Sequence, residues 1–232
     1  MCPFFGDCSK LILLYTLMSC MTIVWAGPNS ERLQQQKIEK ITKHLQSHIL
    51  LSGEFKQVRR LQGFSRPIES TGIFIYWRDH GLYWETRRPF FQAVTFMPEG
   101  MIDWQLPNGA ESRKTNNNFM LNKVSSILMS LVGGDLQKIN RSFKASWNVR
   151  ANAWSITLTP VLPMIARTLA DIQIAGQQYI HQLIVTTSGN DMSKIFFSHI
   201  SSADMPDQIQ CGHFQDADQH MCNKFTRPTV TQ

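Results

Sequence analysis

The sequence lacks the short motifs that most often announce an enzyme. It has no glycine-rich phosphate loop, no nucleophile elbow and no metalloprotease helix motif, and its 7 histidines are scattered. Basic residues never run together either. Arg59-Arg60, Arg87-Arg88 and Arg113-Lys114 are isolated pairs, far apart in the chain. A net charge of +6 spread in this way argues against a nucleic-acid groove. It is compatible with attraction to an anionic membrane surface or an acidic partner. There is no internal repeat and no low-complexity tract. Cysteine is scarce: Cys2, Cys8 and Cys20 lie in the first 26 residues, which leaves Cys211 and Cys222.

Those first 26 residues read as a targeting segment. Lys10 precedes a short apolar run, and Val24-Trp25-Ala26 occupies the positions a signal peptidase reads, so cleavage after Ala26 is expected. A second reading takes Leu17-Met18-Ser19-Cys20 as a lipobox and leaves an acylated Cys20. Export suits the cysteines, because a lone pair in an oxidising compartment usually forms a disulfide. His213 and His220 lie between Cys211 and Cys222, but their spacing matches no common zinc pattern. No metal and no cofactor is expected.

What the chain does have is aromatic strand sequence, centred on Ile68 to Leu106. Strands are predicted over Gly72–Arg78, Leu82–Arg87, Phe91–Met97 and Met101–Leu106, with turns at Asp79–Gly81 and Pro98–Gly100. Phe74 and Tyr76 share a face with Arg78, while Ile73, Ile75 and Trp77 point the other way. Trp84 and Trp104 add large rings. A strand with one wet face alternates apolar and polar residues, and these do not. Either both faces are covered, or one face lines a hollow for an apolar ligand.

Before this meander, Ser30 caps a predicted helix whose Leu33, Ile38, Ile41, Leu45 and Ile49 recur at helical spacing. His44 and His48 are four apart on it, but no third ligand is in view, so they read as solvated. Ser52-Gly53 is expected to break the helix before a strand over Glu54–Leu61. After the meander, a long connection covers 107–118. The stretch from Phe119 to Val132 is then a helix apolar nearly all round, rich in methionine and too short to span a bilayer. It reads as a lid over an apolar cavity or as a buried core helix. Hairpins follow over Phe143–Arg150 with Trp154–Thr159, and Asp171–Ala175 with Tyr179–Thr187. A short crossing at 160–169 separates them, a last strand covers Met192–Ile200, and the tail is polar.

The ordered set resembles the LolA family of periplasmic lipoprotein carriers over residues 31–202. It comprises an exported leader, an amphipathic helix, Phe55-Lys56-Gln57, a glycine-led aromatic meander with Trp84 and Pro89, Gly100 to Trp104, a helical insert, Leu158-Thr159-Pro160 and Ile180-His181-Gln182. The resemblance implies a mainly β (α+β) fold, a strongly curved antiparallel half-barrel closed by a lid of helices. The domain would cover 27–202, with a polar tail over 203–232 that carries Cys211 and Cys222. It implies an acyl cavity lined by Phe55, Phe74, Tyr76, Leu82, Trp84, Val94, Phe96 and Trp104. Leu45, Ile49, Leu121, Ile127, Leu128, Met129 and Leu131 would form the lid, and Arg78 would latch it. Where the family has Arg-Pro this chain has Arg78-Asp79, so Asp79 is placed to compete for the arginine. The function implied is a monomeric, non-enzymatic periplasmic carrier of acylated lipoprotein or lipid-like cargo. It would load at an inner-membrane release complex and unload at an outer-membrane acceptor. Two alternatives stand beside it: a lipid-sensing or acceptor half-barrel anchored through Cys20, and a periplasmic enzyme acting on lipid-like products.

Overall fold

In the computed structural model, the described residues are 28–98, 100–105, 112–116, 129–130, 132–133, 135, 139 and 142–214. The expected leader, the lid residues Leu121, Ile127, Leu128 and Leu131, and Cys222 lie outside them. The chain divides into two compact units, residues 1–35 and 36–232, and the second carries the sheet.

A helix, α1 (Pro28–Ser47), leads into eleven strands. These are β1 (Leu50–Arg60), β2 (Ile68–Trp77), β3 (Gly81–Arg88), β4 (Gln92–Met97), β5 (Gly100–Gln105) and β6 (Ser112–Asn116), then β7 (Phe143–Val149), β8 (Trp154–Pro160), β9 (Leu169–Gly176), β10 (Ile180–Thr187) and β11 (Met192–Ala203). Two short helices, α2 (Pro163–Ala166) and α3 (Gln208–Gly212), interrupt or follow them. All eleven strands form one antiparallel sheet in the order β6-β5-β4-β3-β2-β1-β11-β10-β9-β8-β7. The first strand is central, and two meanders of adjacent hairpins run outward from it. The sheet is curved and unclosed, since β6 and β7 lie at opposite ends of the order.

Register decides which side chains share a face. Phe74 stands opposite Trp84, Trp84 opposite Val94, and Leu82 opposite Phe96. On the other wing Leu183 stands opposite Ile195 and Ile174, and Ile172 opposite Leu158. These residues face inward with Leu51, Phe55 and Phe197 and form one continuous apolar cluster. The outer face of the second wing is the polar half of the alternation, with Lys144, Ser155, Thr157 and Gln173 exposed or half-buried. Two glycines sit where backbone and rings come too close for a side chain. A Cβ on Gly72 would lie 1.8 Å from the Glu85 carbonyl oxygen. One on Gly53 would lie 2.9 Å from the Phe74 ring.

Three sequence expectations change here. The first strand starts at Leu50, and Gly53 is no breaker: it sits at a register shift between Ser52 and Glu54. Part of the expected loop at 107–118 is an edge strand, β6, paired through Met101 with Asn116 and Gln105 with Ser112. Its sequence, SRKTN, is polar throughout and carries no periodic signal. The polar tail is not simply tethered. Asp207 caps α3 in a reciprocal capping box with Gln210, and Cys211 within the helix and Phe214 just past it are buried.

Candidate functional site

The outer face of β2–β5 is as apolar as the inner one, and the segment after β11 covers it. Leu50, Ile75, Trp77, Tyr83 and Ala93 form a second cluster with Cys211 and Phe214. Phe214 meets Trp77 edge to face at 5.6 Å, and His213 stacks on Tyr83 at 3.8 Å. Thr95, fully buried, ties the layers together. Its hydroxyl donates to the His213 carbonyl at 2.9 Å and accepts from Trp104 Nε1 at 2.8 Å. Glu85 borders this layer. Burial pushes its carboxyl up, but hydrogen bonds from Tyr83 and Arg87, with the charges of Arg87 and His213, hold it below the usual carboxylate value. Both faces of the meander are therefore covered. Trp104 is corrected with this: it lies on the outer face, opposite Ala93 and packed beneath Phe214's cluster, and lines no inner cavity. Cys211 is disulfide-bonded, and the expected partner Cys222 lies outside the described residues.

The inner face gathers the other expected wall residues. Phe55, Phe74, Tyr76 and Leu82 are buried in one cluster, with Trp84 and Phe96 packed against it. Val94 is half-buried on the same face, by its pairing with Trp84. Phe55 and Trp84 stack at 3.8 Å, and Phe74 meets Phe197 edge to face at 5.1 Å. The expected list missed the second wing, where Ile156, Leu158, Ile172, Ile174, Leu183 and Ile195 complete the surface. For Ile156, Leu158, Ile172 and Ile174 the signal was in the sequence, since polar or small residues stand on both sides of each; Leu183 and Ile195 are followed by Ile184 and Phe196, which blurs the alternation.

The C-terminal half of α1 lies against this surface. Leu45 is 3 % exposed within the inner cluster, and Ile41 packs at its edge. Ile49 has left the helix and is exposed, so it covers nothing. Met129 and Val132, in helical conformation, pack against the same cluster. Among the described residues, one apolar pocket between these side chains and the sheet is small. Bounded by Leu45, Leu51, Phe74, Val132, Leu183 and Phe197, it measures about 20 Å³. That is room for a water molecule rather than an alkyl chain. A larger cleft of about 510 Å³ adjoins it, bordered by Gln46, Tyr76, Arg78, Asp79, Ser130 and Asp135.

Arg78 stands at this junction, just past β2. Its Nη2 donates to the carbonyls of Gln46 and His48, and its backbone N–H donates to the Ile49 carbonyl at 2.8 Å. A cation here satisfies carbonyls that a helix end leaves without partners and opposes the negative end of the helix dipole. No ion pair joins Arg78 to Asp79 among the described residues. Asp79 takes the left-handed backbone conformation of the turn, with φ +63°, and its side chain is exposed.

Two histidines flank the arginine. His48 meets His44 edge to face at 5.1 Å and Tyr179 at 5.0 Å, and its Nε2 is buried with no hydrogen-bond partner among the described residues. Burial, then the His44 ring and the Arg78 guanidinium, hold its pKa below the ordinary histidine value. Tyr76 is the buried phenol beside them. Burial chiefly pushes its pKa up to about 12, and a Cβ on Gly133 would lie 2.1 Å from its oxygen. Among the described residues, no group of three potential ligands could hold a metal ion.

No family model matches this sequence, and no curated protein matches it. Solved structures do. The chain is similar to a LolA superfamily protein from Nitrosomonas europaea, at 9 % identity and TM-score 0.42, covering 75 % of this chain and 96 % of that one. It is similar to a putative outer membrane lipoprotein-sorting protein domain from Vibrio parahaemolyticus, at 7 % identity and TM-score 0.39, covering 74 % and 93 %. It is also similar to a chain of the MucA/MucB complex of Pseudomonas aeruginosa, at 10 % identity and TM-score 0.41, covering 75 % of this chain and 59 % of that one. The LolA resemblance drawn from the sequence is met again among these structural matches.

Proposed function

We propose that this protein is a periplasmic carrier that shelters the acyl chains of a lipoprotein, or of a related lipid-like cargo, between its inner sheet face and a movable helical cover. The supporting observation is the way α1 is held. A continuous apolar surface lies beneath Leu45 and Ile41, and among the described residues the helix end above it is held by the Arg78 side chain, with a longer hydrogen bond from Gln46 Nε2 to Asp135 at 3.4 Å. Releasing Arg78 would free the cover and open the small apolar space to the 510 Å³ cleft beside it. The cargo would enter where Tyr76, Met129 and Val132 meet α1. Release complex and acceptor belong to the same proposal as the partners that open and empty the cover.

Native mass spectrometry of the protein as isolated, followed by titration with a fluorescent fatty acid, tests this. A bound acylated species, or saturable uptake of the probe, is expected. Trp84→Lys should abolish it while circular dichroism keeps the β signature, because Trp84 is only half-buried. A protein that carries no acyl chain and takes up no probe refutes the carrier and leaves the inner face as ordinary core.

A further inference from the structure

The three basic pairs looked unrelated in sequence, yet the sheet gathers two of them, Arg59-Arg60 and Arg87-Arg88, on one rim. The strand register puts the C-terminal ends of β1 and β3 beside the N-terminal ends of β2 and β4, with Arg59 opposite Ile68 and Arg88 opposite Thr71. Arg59, Arg60 and Arg88 therefore lie at the same end of the sheet, on β1 and β3 to either side of β2, and Arg66 stands in the loop between β1 and β2. All four are exposed, and none forms an ion pair among the described residues. The nearby acids are already engaged. Glu85 holds Arg87, Glu69 holds Lys56, and Asp191 accepts from the Gln62 backbone N–H.

Large apolar side chains stand out from the same rim. Phe64 is 65 % exposed and Phe90 82 %, with Ile68 and Phe91 exposed beside them. Further along the rim, the β8–β9 crossing adds exposed Val161 and Met164, with Arg167, which forms no ion pair among the described residues. Exposed rings cost free energy in water and are seldom clustered without a partner. Rings interleaved with unpaired arginines match a surface that is negative outside and oily a few ångströms below. A protein partner with an acidic rim would satisfy the charges. It would not account for hydrophobic tips spread over separate loops at the strand ends.

We propose that this rim docks on anionic bilayers, with Phe64, Phe90 and Phe91 entering the headgroup boundary and the arginines binding lipid phosphates. It lies at the opposite end of the strands from Arg78, since Arg60 pairs with Met192 at one end of β1 and Leu50 with Ala203 at the other. Docking would leave the α1 end free for cargo or partners. The inference does not depend on what the inner face holds.

Flotation with vesicles of phosphatidylcholine alone, and of phosphatidylcholine with 30 mol % phosphatidylglycerol, tests it on the protein as isolated. Binding is expected to the anionic vesicles, weakened at high salt. The Arg59→Gln/Arg60→Gln/Arg88→Gln triple variant should lower partitioning roughly a hundredfold, about fivefold for each arginine. Phe90→Ser/Phe91→Ser should lower it at least tenfold without altering the fold, because both rings are exposed. Binding that survives both variants overturns the proposal by placing the contact elsewhere. Absence of binding to either vesicle overturns it and points to a protein partner.

Discussion

Replacing Arg78 with methionine isolates the latch, because it keeps the aliphatic stem and removes only the guanidinium. Two carbonyls at the end of α1 then lose a charged donor, and the helix dipole loses its cation. A hydrogen bond to a charged group contributes about 1.5–3 kcal/mol and a helix-end cation about 0.3–1 kcal/mol. Both bonds share one nitrogen on a half-buried side chain, so water recovers part of the loss. The net cost should be about 2 kcal/mol, or roughly a 30-fold rise in the opening constant of α1. Hydrogen exchange reads this directly. Amides of α1 from residue 38 onward should exchange about 30-fold faster, while those of β9 and β10 change little, because opening is local. If the open form takes up cargo, the variant should also bind a fluorescent fatty acid more tightly, by up to the same factor. Unchanged protection in α1 would refute the latch. Equal acceleration throughout the sheet would show that Arg78 stabilises the whole fold and gates nothing.

The pH dependence of the same helix follows from His48, whose pKa in the folded state is depressed below the ordinary 6.5. The unfolded or undocked form binds the proton more readily, so stability is fully present above about pH 6.5 and falls as pH drops below it. Protection factors in α1, taken from exchange corrected for the intrinsic rate at each pH, should therefore fall between pH 7.5 and 5.5, and His48→Gln should flatten that fall. Thr95→Val removes a hydroxyl that donates to the His213 carbonyl and accepts from Trp104 Nε1, so two part-buried groups lose that hydrogen bond. Urea denaturation should show a loss of about 2–3 kcal/mol. Phe55→Ala opens a cavity beneath the Trp84 ring in the middle of the inner cluster and should cost about 3–5 kcal/mol by the same assay. Acyl probes of increasing length should reveal a threshold below which no binding is measured, rather than a constant gain from the shortest chain upward.

Local signals carried much of this architecture. The β2–β5 meander was legible because β-branched and aromatic runs are punctuated by Asp79-His80-Gly81 and Pro98-Glu99-Gly100, which leaves little choice of turn. Phe74, Tyr76, Leu82 and Trp84 were rightly grouped, since a period of two puts them on one face once the hairpin register is known. Trp104 was misplaced because its face depends on register accumulated over three hairpins, and a shift of one residue reverses a strand. The second face of the meander was ambiguous in sequence for a related reason. Its cover, Cys211 to Phe214, comes from more than a hundred residues away, and no periodicity announces a contact of that range. The arginine rim stayed hidden in the same way: Arg59-Arg60 and Arg87-Arg88 are distant in sequence and come to one end of the sheet only because β1 and β3 both pair with β2. Gly53 misled because a glycine at a strand irregularity and one at a helix end look alike before the register is seen.

The small size of the apolar space is the observation that a carrier must accommodate. At about 20 Å³, the pocket that Leu45 and Val132 bound against the inner face, among the described residues, is too small for an alkyl chain. Opening it would expose Leu45, at about 2 kcal/mol, and part of Ile41, at about 1 kcal/mol. Releasing the Arg78 bonds adds about 2 kcal/mol, for a sum near 5 kcal/mol. Burying an acyl chain contributes about 0.8 kcal/mol per methylene, so a chain of about six carbons only balances the opening. One of about sixteen gives about 12 kcal/mol, which leaves several kcal/mol after opening to set against the entropy lost on association. A closed resting state is therefore compatible with tight binding of long chains, and it keeps an empty apolar groove from water. It also implies selection by length rather than by headgroup, since the residues around the small space are apolar and the polar groups lie outside it, at Arg78, Asp79 and Asp135.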